Sequence, residues 1–141
     1  MNVLIALIDP AHISHDAAHD GFQSWQQQGW ATCPITENGV IRIVGDRRYP
    51  NSPGSPAAVA DMLRSMRLLP GYQFWRDNIS LVDVQLVISS HILTSAQVTD
   101  TYLLALAKSY NGKLATFDRR LSTLAVPDGR ETLHIIGIDD R

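Results

Sequence analysis

The sequence has one cysteine, Cys33, in 141 residues. A single thiol excludes an intramolecular disulfide, so the fold has to stand on its own core, and this suits a reducing cytosol. Long apolar runs are also missing. The longest, Val3 to Ile8, is too short to span a bilayer, and no basic region precedes it, which argues against a signal peptide. The expectation is a cytoplasmic protein without membrane association. Neither sign of charge is in large excess. The formal net charge of −2 gives no overall nucleic-acid footprint, although Arg42, Arg47 and Arg48, and then Arg119 and Arg120, form local groups. A glycine-rich phosphate loop is absent too, which leaves P-loop chemistry unsupported. There is no repeat, low-complexity tract or composition break. The hydrophobic fraction of 45% and charged fraction of 18% are those of an ordinary globular protein. The length predicts one domain over residues 1–141, large enough for a substantial core.

Along the chain, "VLIALI" (residues 3–8) reads equally as a buried strand or the first turns of a buried helix. Ser14 is positioned to cap a helix through about Gln28, with Ala18, Phe22 and Trp25 at helical spacing. "WATC" (residues 30–33) reads as a strand. The stretch after Glu37 alternates weakly but also fits a helix. "YPNSPGSP" (residues 49–56) is a loop. Ser55 followed by Pro56 opens a helix to about Leu68, and Pro70–Gly71 ends it. The spacing then predicts a short strand near 79–81 and a helix over 83–92. Thr99 or Asp100 opens a further helix that Asn111–Gly112 stops. "KLATF" and residues 132–138, "TLHIIGI", complete the strands. Strands alternating with helices predict a parallel sheet in an α/β layered fold.

Ligands of open α/β sheets bind beyond the carboxyl ends of strands. Three acidic residues occupy such junctions: Glu37 after "WATCPIT", Asp100 at the head of "TDTYLLALA", and Asp118 closing "KLATF". Carboxylates gathered there would raise one another's pKa, and a bound Mg²⁺ or Mn²⁺ offsets that cost through hard oxygen ligands. Such an ion lowers the pKa of bound water and stabilises charge on a scissile phosphate. Each residue also has an ordinary reading. Asp100 can be a helix N-cap, Asp118 a turn residue, Glu37 a solvated helix start, and Arg119 and Arg120 a solvated pair or partners of Asp128 or Glu131.

The joint pattern is more specific. "MNVLIALIDPAHISHDAAHDGFQSW", "TENGVIRIV" and above all "VTDTYLLALAKSYNGKLATFDRRL" resemble PIN-domain ribonucleases of the VapC toxin type over nearly the whole chain. The resemblance implies a three-layer α/β/α sandwich around a mainly parallel sheet, helix at 3–8 and after Glu37, and metal-dependent endonucleolytic cleavage of RNA. It places Glu37, Asp100 and Asp118 at the family's second, third and fourth acidic positions, as catalytic and metal-binding residues for Mg²⁺ or Mn²⁺. Thr116 matches a hydroxyl residue that arranges the site. Asn2 matches the polar residue two places after the first acidic position, which itself would precede Met1; the resemblance therefore implies a first strand that is truncated in this sequence, through either a start assigned too late or a shortened relative. Asp9, seven residues past Asn2, falls where the family has a turn. Arg119 and Arg120 are the expected contacts to the RNA backbone. The expected partners are a cognate antitoxin, an RNA substrate and a second copy of the chain.

Two other function classes stay open at this point. One is a catalytically weak PIN-like module that binds RNA or protein. The other is an unrelated α/β phosphoryl-transfer domain. His15 and His19, four apart on a helix, have the spacing of a zinc-binding pair, but no third ligand at fixed spacing accompanies them. Trp25, Trp30 and Trp75 can stack bases, although Trp25 at helical spacing reads as core.

Overall fold

The computed structural model of the chain describes residues 1–137. They form an α/β fold of helices and short parallel strands, in two compact units, Met1–Arg76 and a second beginning at Asp77.

The first unit opens with helix α1 (Asn2–Ile8), in which Val3, Leu4, Ala6, Leu7 and Ile8 are buried. Helix rather than strand is therefore the outcome for the ambiguous apolar run. Helix α2 (His15–Trp25) follows, continued by a 3-10 turn at Gln26–Gln28. Ser14 stands at its N-cap position but makes no side-chain cap. Instead, two histidines of α2 finish α1. His15 Nδ1 lies 2.7 Å from the Ala6 carbonyl and His19 Nε2 lies 3.1 Å from that of Leu7. Because carbonyls only accept, both ring nitrogens carry the proton, and two carbonyls in the last turn of α1 gain donors. Asp9, just beyond α1, is 5% exposed. Its carboxylate accepts from the Ala11 N–H at 2.9 Å, from Asn51 Nδ2 at 2.6 Å and from the Tyr49 hydroxyl.

Strand β1 (Trp30–Thr32) leads into helix α3 (Pro34–Val44), which starts earlier than Glu37, with Pro34 at its first position. Cys33 and Thr36 cap it, the Cys33 N–H donating to Thr36 Oγ1 at 3.0 Å. Helix α4 (Pro56–Met66) has the expected cap, Ser55 Oγ accepting from the Ala58 N–H at 3.1 Å. Leu4 and Ile8 of α1 pack with Val40 and Val44 of α3 and Val59 and Leu63 of α4 to form this unit's core. Strand β2 (Tyr72–Phe74) has no counterpart in the sequence reading. It pairs with β1 in parallel, Trp30 opposite Tyr72 and Thr32 opposite Phe74. Gly71 enables this entry. Its φ is +85°, and a Cβ there would meet the Gln26 carbonyl oxygen at 2.5 Å.

In the second unit the predicted strand near 79–81 and helix over 83–92 do not form. The segment consists of turns, with one 3-10 turn at Ser89–His91. The physical reason is local competition. Ser80 Oγ accepts the Val82 N–H at 3.2 Å and Asp83 Oδ1 accepts the Gln85 N–H at 2.9 Å, so short polar side chains take backbone donors a helix would need. Helix α5 (Val98–Ser109) begins slightly before Asp100 and buries every residue from Leu103 to Ala107. It ends as predicted: Asn111 adopts φ 57° and the Gly112 N–H reaches back to the Ala107 carbonyl at 2.8 Å. Leu104 and Ala105 pack with Val87, Ala125 and Val126. Strand β3 (Leu114–Thr116) pairs in parallel with β4 (Leu133–Ile135) through a short helix, α6 (Gly129–Thr132). The expected last strand is thus shorter than 132–138, and position 138 lies outside the described residues. Among the described residues no helix is long and apolar enough to cross a membrane.

Candidate active site

The second unit carries two of the predicted acidic residues on rigid elements. Asp100 stands in the first turn of α5 and Asp118 lies just past the end of β3. They are close enough to interact. Burial, and then the negative charge of Asp118, push the Asp100 carboxyl above its ordinary value of 3.8. A chain of hydrogen bonds sets the position of Asp118. The Thr116 carbonyl accepts the Ile136 N–H at 2.8 Å, which ties the strand end to the sheet. Thr116, 4% exposed, accepts the Asp118 N–H on Oγ1 at 3.0 Å. Asp118 Oδ1 accepts the Arg120 N–H at 2.9 Å. The strand therefore holds Thr116, Thr116 orients Asp118, and Asp118 shapes the turn that carries both arginines. Arg119 and Arg120 are exposed. Among the described residues neither guanidinium forms an ion pair, and Asp128, one candidate partner, pairs instead with Lys108 Nζ at 3.6 Å.

Asn2 and Glu37 belong to the first unit. Asn2 is the first residue of α1. Glu37 sits in the first turn of α3, and its carboxylate is heavily engaged. Thr32 Oγ1 donates to Oε2 at 2.7 Å. Arg67 Nε donates to Oε2 at 3.0 Å, and Arg67 Nη2 reaches Oε1 at 2.9 Å and Oε2 at 2.7 Å. The single Thr32 proton goes to Glu37, so the Tyr72 hydroxyl, 2.7 Å from Thr32 Oγ1, is the donor to Thr32. Burial is the main cause that raises the Tyr72 pKa. The Arg67 guanidinium also lies 5.4 Å from the Tyr72 ring centroid and 4.9 Å from that of Phe74, within cation–π range.

The donor chemistry of Asp100 and Asp118 fits a hard divalent cation. Two carboxylates, one of them desolvated and facing the other's charge, are what such an ion would stabilise, and Mg²⁺ needs only one or two protein carboxylates when waters and phosphate complete its shell. Among the described residues no group of three or more His, Cys, Asp or Glu side chains is assembled to hold a metal ion. Thr32, Arg67 and Tyr72 were not foreseen from the sequence, because Arg67 and Tyr72 lie far along the chain from the groups they bind and no spacing rule connects them.

No family model matches the chain. Curated relatives do. Ribonuclease VapC44 of Mycobacterium tuberculosis is 39% identical over 127 residues, covering 90% of this chain and 89% of the relative. The chain belongs to the VapC ribonuclease family. Ribonuclease VapC39 of the same organism is 39% identical over 125 residues, 89% of this chain and 90% of the relative. Ribonuclease VapC29 of the same organism is 37% identical over 123 residues, 87% and 86% of the two chains. The match spans both compact units, so VapC membership rests on nearly the whole sequence and not on the "KLATFDRR" block alone. A weak binding module is not the reading these relatives favour.

Proposed function

We propose that the chain is a metal-dependent endoribonuclease, the toxin of a type II toxin–antitoxin pair, acting in the cytoplasm. The observation that carries this reading is the Asp100–Asp118 pair, held by α5 and by Thr116 at the end of β3, in a chain of the VapC ribonuclease family. Asp100 and Asp118 hold the ion, Mg²⁺ or Mn²⁺. Bound there, the ion supplies Lewis-acid charge stabilisation and a bound water of lowered pKa. Thr116 keeps Asp118 oriented, and Arg119 and Arg120 take backbone phosphates from the rim through their planar forks. The family resemblance adds Glu37 to the acidic set and Asn2 to the substrate-binding residues. Within its own unit the Glu37 oxygens also accept from Thr32 and Arg67, which fix the direction of that carboxylate.

The same reading takes the three-layer α/β/α sandwich as the fold of a single domain over residues 1–141. It also takes a cognate antitoxin and a second copy of the chain as partners. Ile13, Val82, Val84 and Leu93 are 98%, 87%, 84% and 69% exposed, and apolar side chains so open to water are available for burial by a protein partner. The test is cleavage of a labelled RNA with Mg²⁺, with Mn²⁺ and with chelator, by wild type and by Asp100→Asn. Cleavage that needs the ion and is lost in the variant supports the assignment. Equal cleavage by the variant, in a preparation cleared of other nucleases, overturns it. Light scattering at tens of micromolar tests the dimer separately.

A further inference from the structure

Arg67 is presented in an unusual way for a surface arginine. Its Nε and Nη2 face Glu37, which leaves Nη1 outside that pairing. Its guanidinium carbon lies over two rings, those of Tyr72 and Phe74. The Glu37 side chain is 16% exposed and that of Arg67 40%, so the carboxylate end of the pair is shielded and the guanidinium end meets solvent. Phe74, next to it on β2, is 44% exposed. Folding does not require an open phenylalanine on a strand whose other end, Tyr72, is largely covered. The side-chain entropy of Arg67 has already been lost to Glu37 and the rings, so a ligand would meet a fork of fixed direction.

We propose that Arg67 and Phe74 form a nucleotide subsite for single-stranded RNA, Arg67 taking a backbone phosphate on its solvent-facing edge and Phe74 stacking the adjoining base. This rests on the ribonuclease reading and adds to it a contact surface on the first unit. The chemistry is that of sequence-tolerant single-strand binding: a cation that follows the backbone beside an aromatic ring on which any base can stack. Glu37 offsets much of the charge of Arg67, so the contact is one of geometry more than of long-range attraction. A planar fork matters here where a point charge would not.

The experiment uses full-length protein silenced by Asp100→Asn and measures fluorescence anisotropy with a labelled unstructured oligoribonucleotide and with an abasic strand of equal length. Phe74→Leu, which keeps apolar bulk and removes the π face, should weaken RNA binding by about fivefold or more and leave the abasic strand unaffected. Phe74→Tyr should restore the wild-type value. Arg67→Lys, which keeps the charge and loses the fork, should weaken both strands. Unchanged RNA affinity in Phe74→Leu, or equal loss for both strands, overturns the subsite. Unchanged RNA affinity together with lost self-association overturns it as well and makes the surface a protein contact. Cleavage by the parent chain is followed in parallel. If the parent cuts RNA while Phe74→Leu binds normally, only the subsite falls. If the parent neither cuts nor binds RNA, the ribonuclease reading falls with it.

Discussion

Tyr49→Phe removes one oxygen from the Asp9 network and leaves the ring packed against the core of the first unit. Asp9 is buried and charged, and it accepts three hydrogen bonds, from Tyr49, Asn51 and Ala11. A hydrogen bond to a charged group contributes roughly 1.5–3 kcal/mol. Asn51 and Ala11 stay in place in the variant, so the expected loss is about 2 kcal/mol, or roughly 5–10 °C in Tm for a chain of this size. The pH dependence identifies the cause. The Tyr49 hydroxyl, more than any other group, holds the Asp9 carboxyl below its ordinary 3.8. A depressed carboxyl contributes stability that is fully present above the unfolded value and is lost as pH falls through the folded one. The gap between wild type and variant should therefore be complete at pH 7 and pH 5 and should close below 3.8. At the alkaline end, burial and then Asp9 push the Tyr49 hydroxyl up to about 12 from 10.0. That contribution is present below pH 10 and is lost as pH rises through 12, so the gap should narrow there as well. Urea unfolding followed by far-UV circular dichroism across this range measures both arms. A variant as stable as wild type at pH 7, or a gap of equal size at pH 3 and pH 7, would refute the reasoning.

Asp100→Asn should make the protein more stable at neutral pH without added metal, since the amide carries no charge for burial and Asp118 to disfavour. Because the Asp100 carboxyl is raised, this advantage should disappear in urea titrations below pH 3.8, where the wild-type group is protonated in both states. Thr116→Val keeps the buried shape but removes the acceptor of the Asp118 N–H. It should cost about 1 kcal/mol in thermal unfolding and slow RNA cleavage more than that loss explains; unimpaired cleavage would detach Thr116 from the site. Arg119→Ala and Arg120→Ala, each in the Asp100→Asn background, should lower the log–log salt slope of RNA binding by about 0.7 per lost phosphate contact. An unchanged slope in both would reduce the arginines to solvated surface.

The parts of this fold that could be read in the sequence are those set by neighbours in the chain. Ser55–Pro56 at the start of α4 and Asn111–Gly112 at the end of α5 carry their caps locally and were placed correctly. Strand β2 was not visible, because three residues have no measurable period and its existence depends on Trp30–Thr32, some forty positions earlier. Val82 and Val84 suggested ordered structure by their pattern, yet both are exposed, and Ser80 and Asp83 hold the backbone in turns. The same division holds in the site. Thr116, Asp118 and Arg120 form one local hydrogen-bonded run that the "ATFDRR" stretch contains whole. The grip of Arg67 on Glu37 joins residues 30 apart and depends on the packing of α3 against α4, which composition and periodicity do not encode.

The two imidazole bonds at the end of α1 join residues separated by 9 and 12 positions, whereas the Tyr49 bond to Asp9 closes a span of 40. A ten-residue loop closes in about 10–100 ns, and longer loops cost more entropy to close. The α1–α2 hairpin can thus form on its own contacts while α3 and α4 are still searching. An α1 already finished by His15 and His19 presents Leu4 and Ile8 as a ready surface on which Val40, Val44, Val59 and Leu63 condense. In this unit, then, a pair of histidines that resembles a metal site in sequence closes the shorter of these loops and ties α2 to the end of α1.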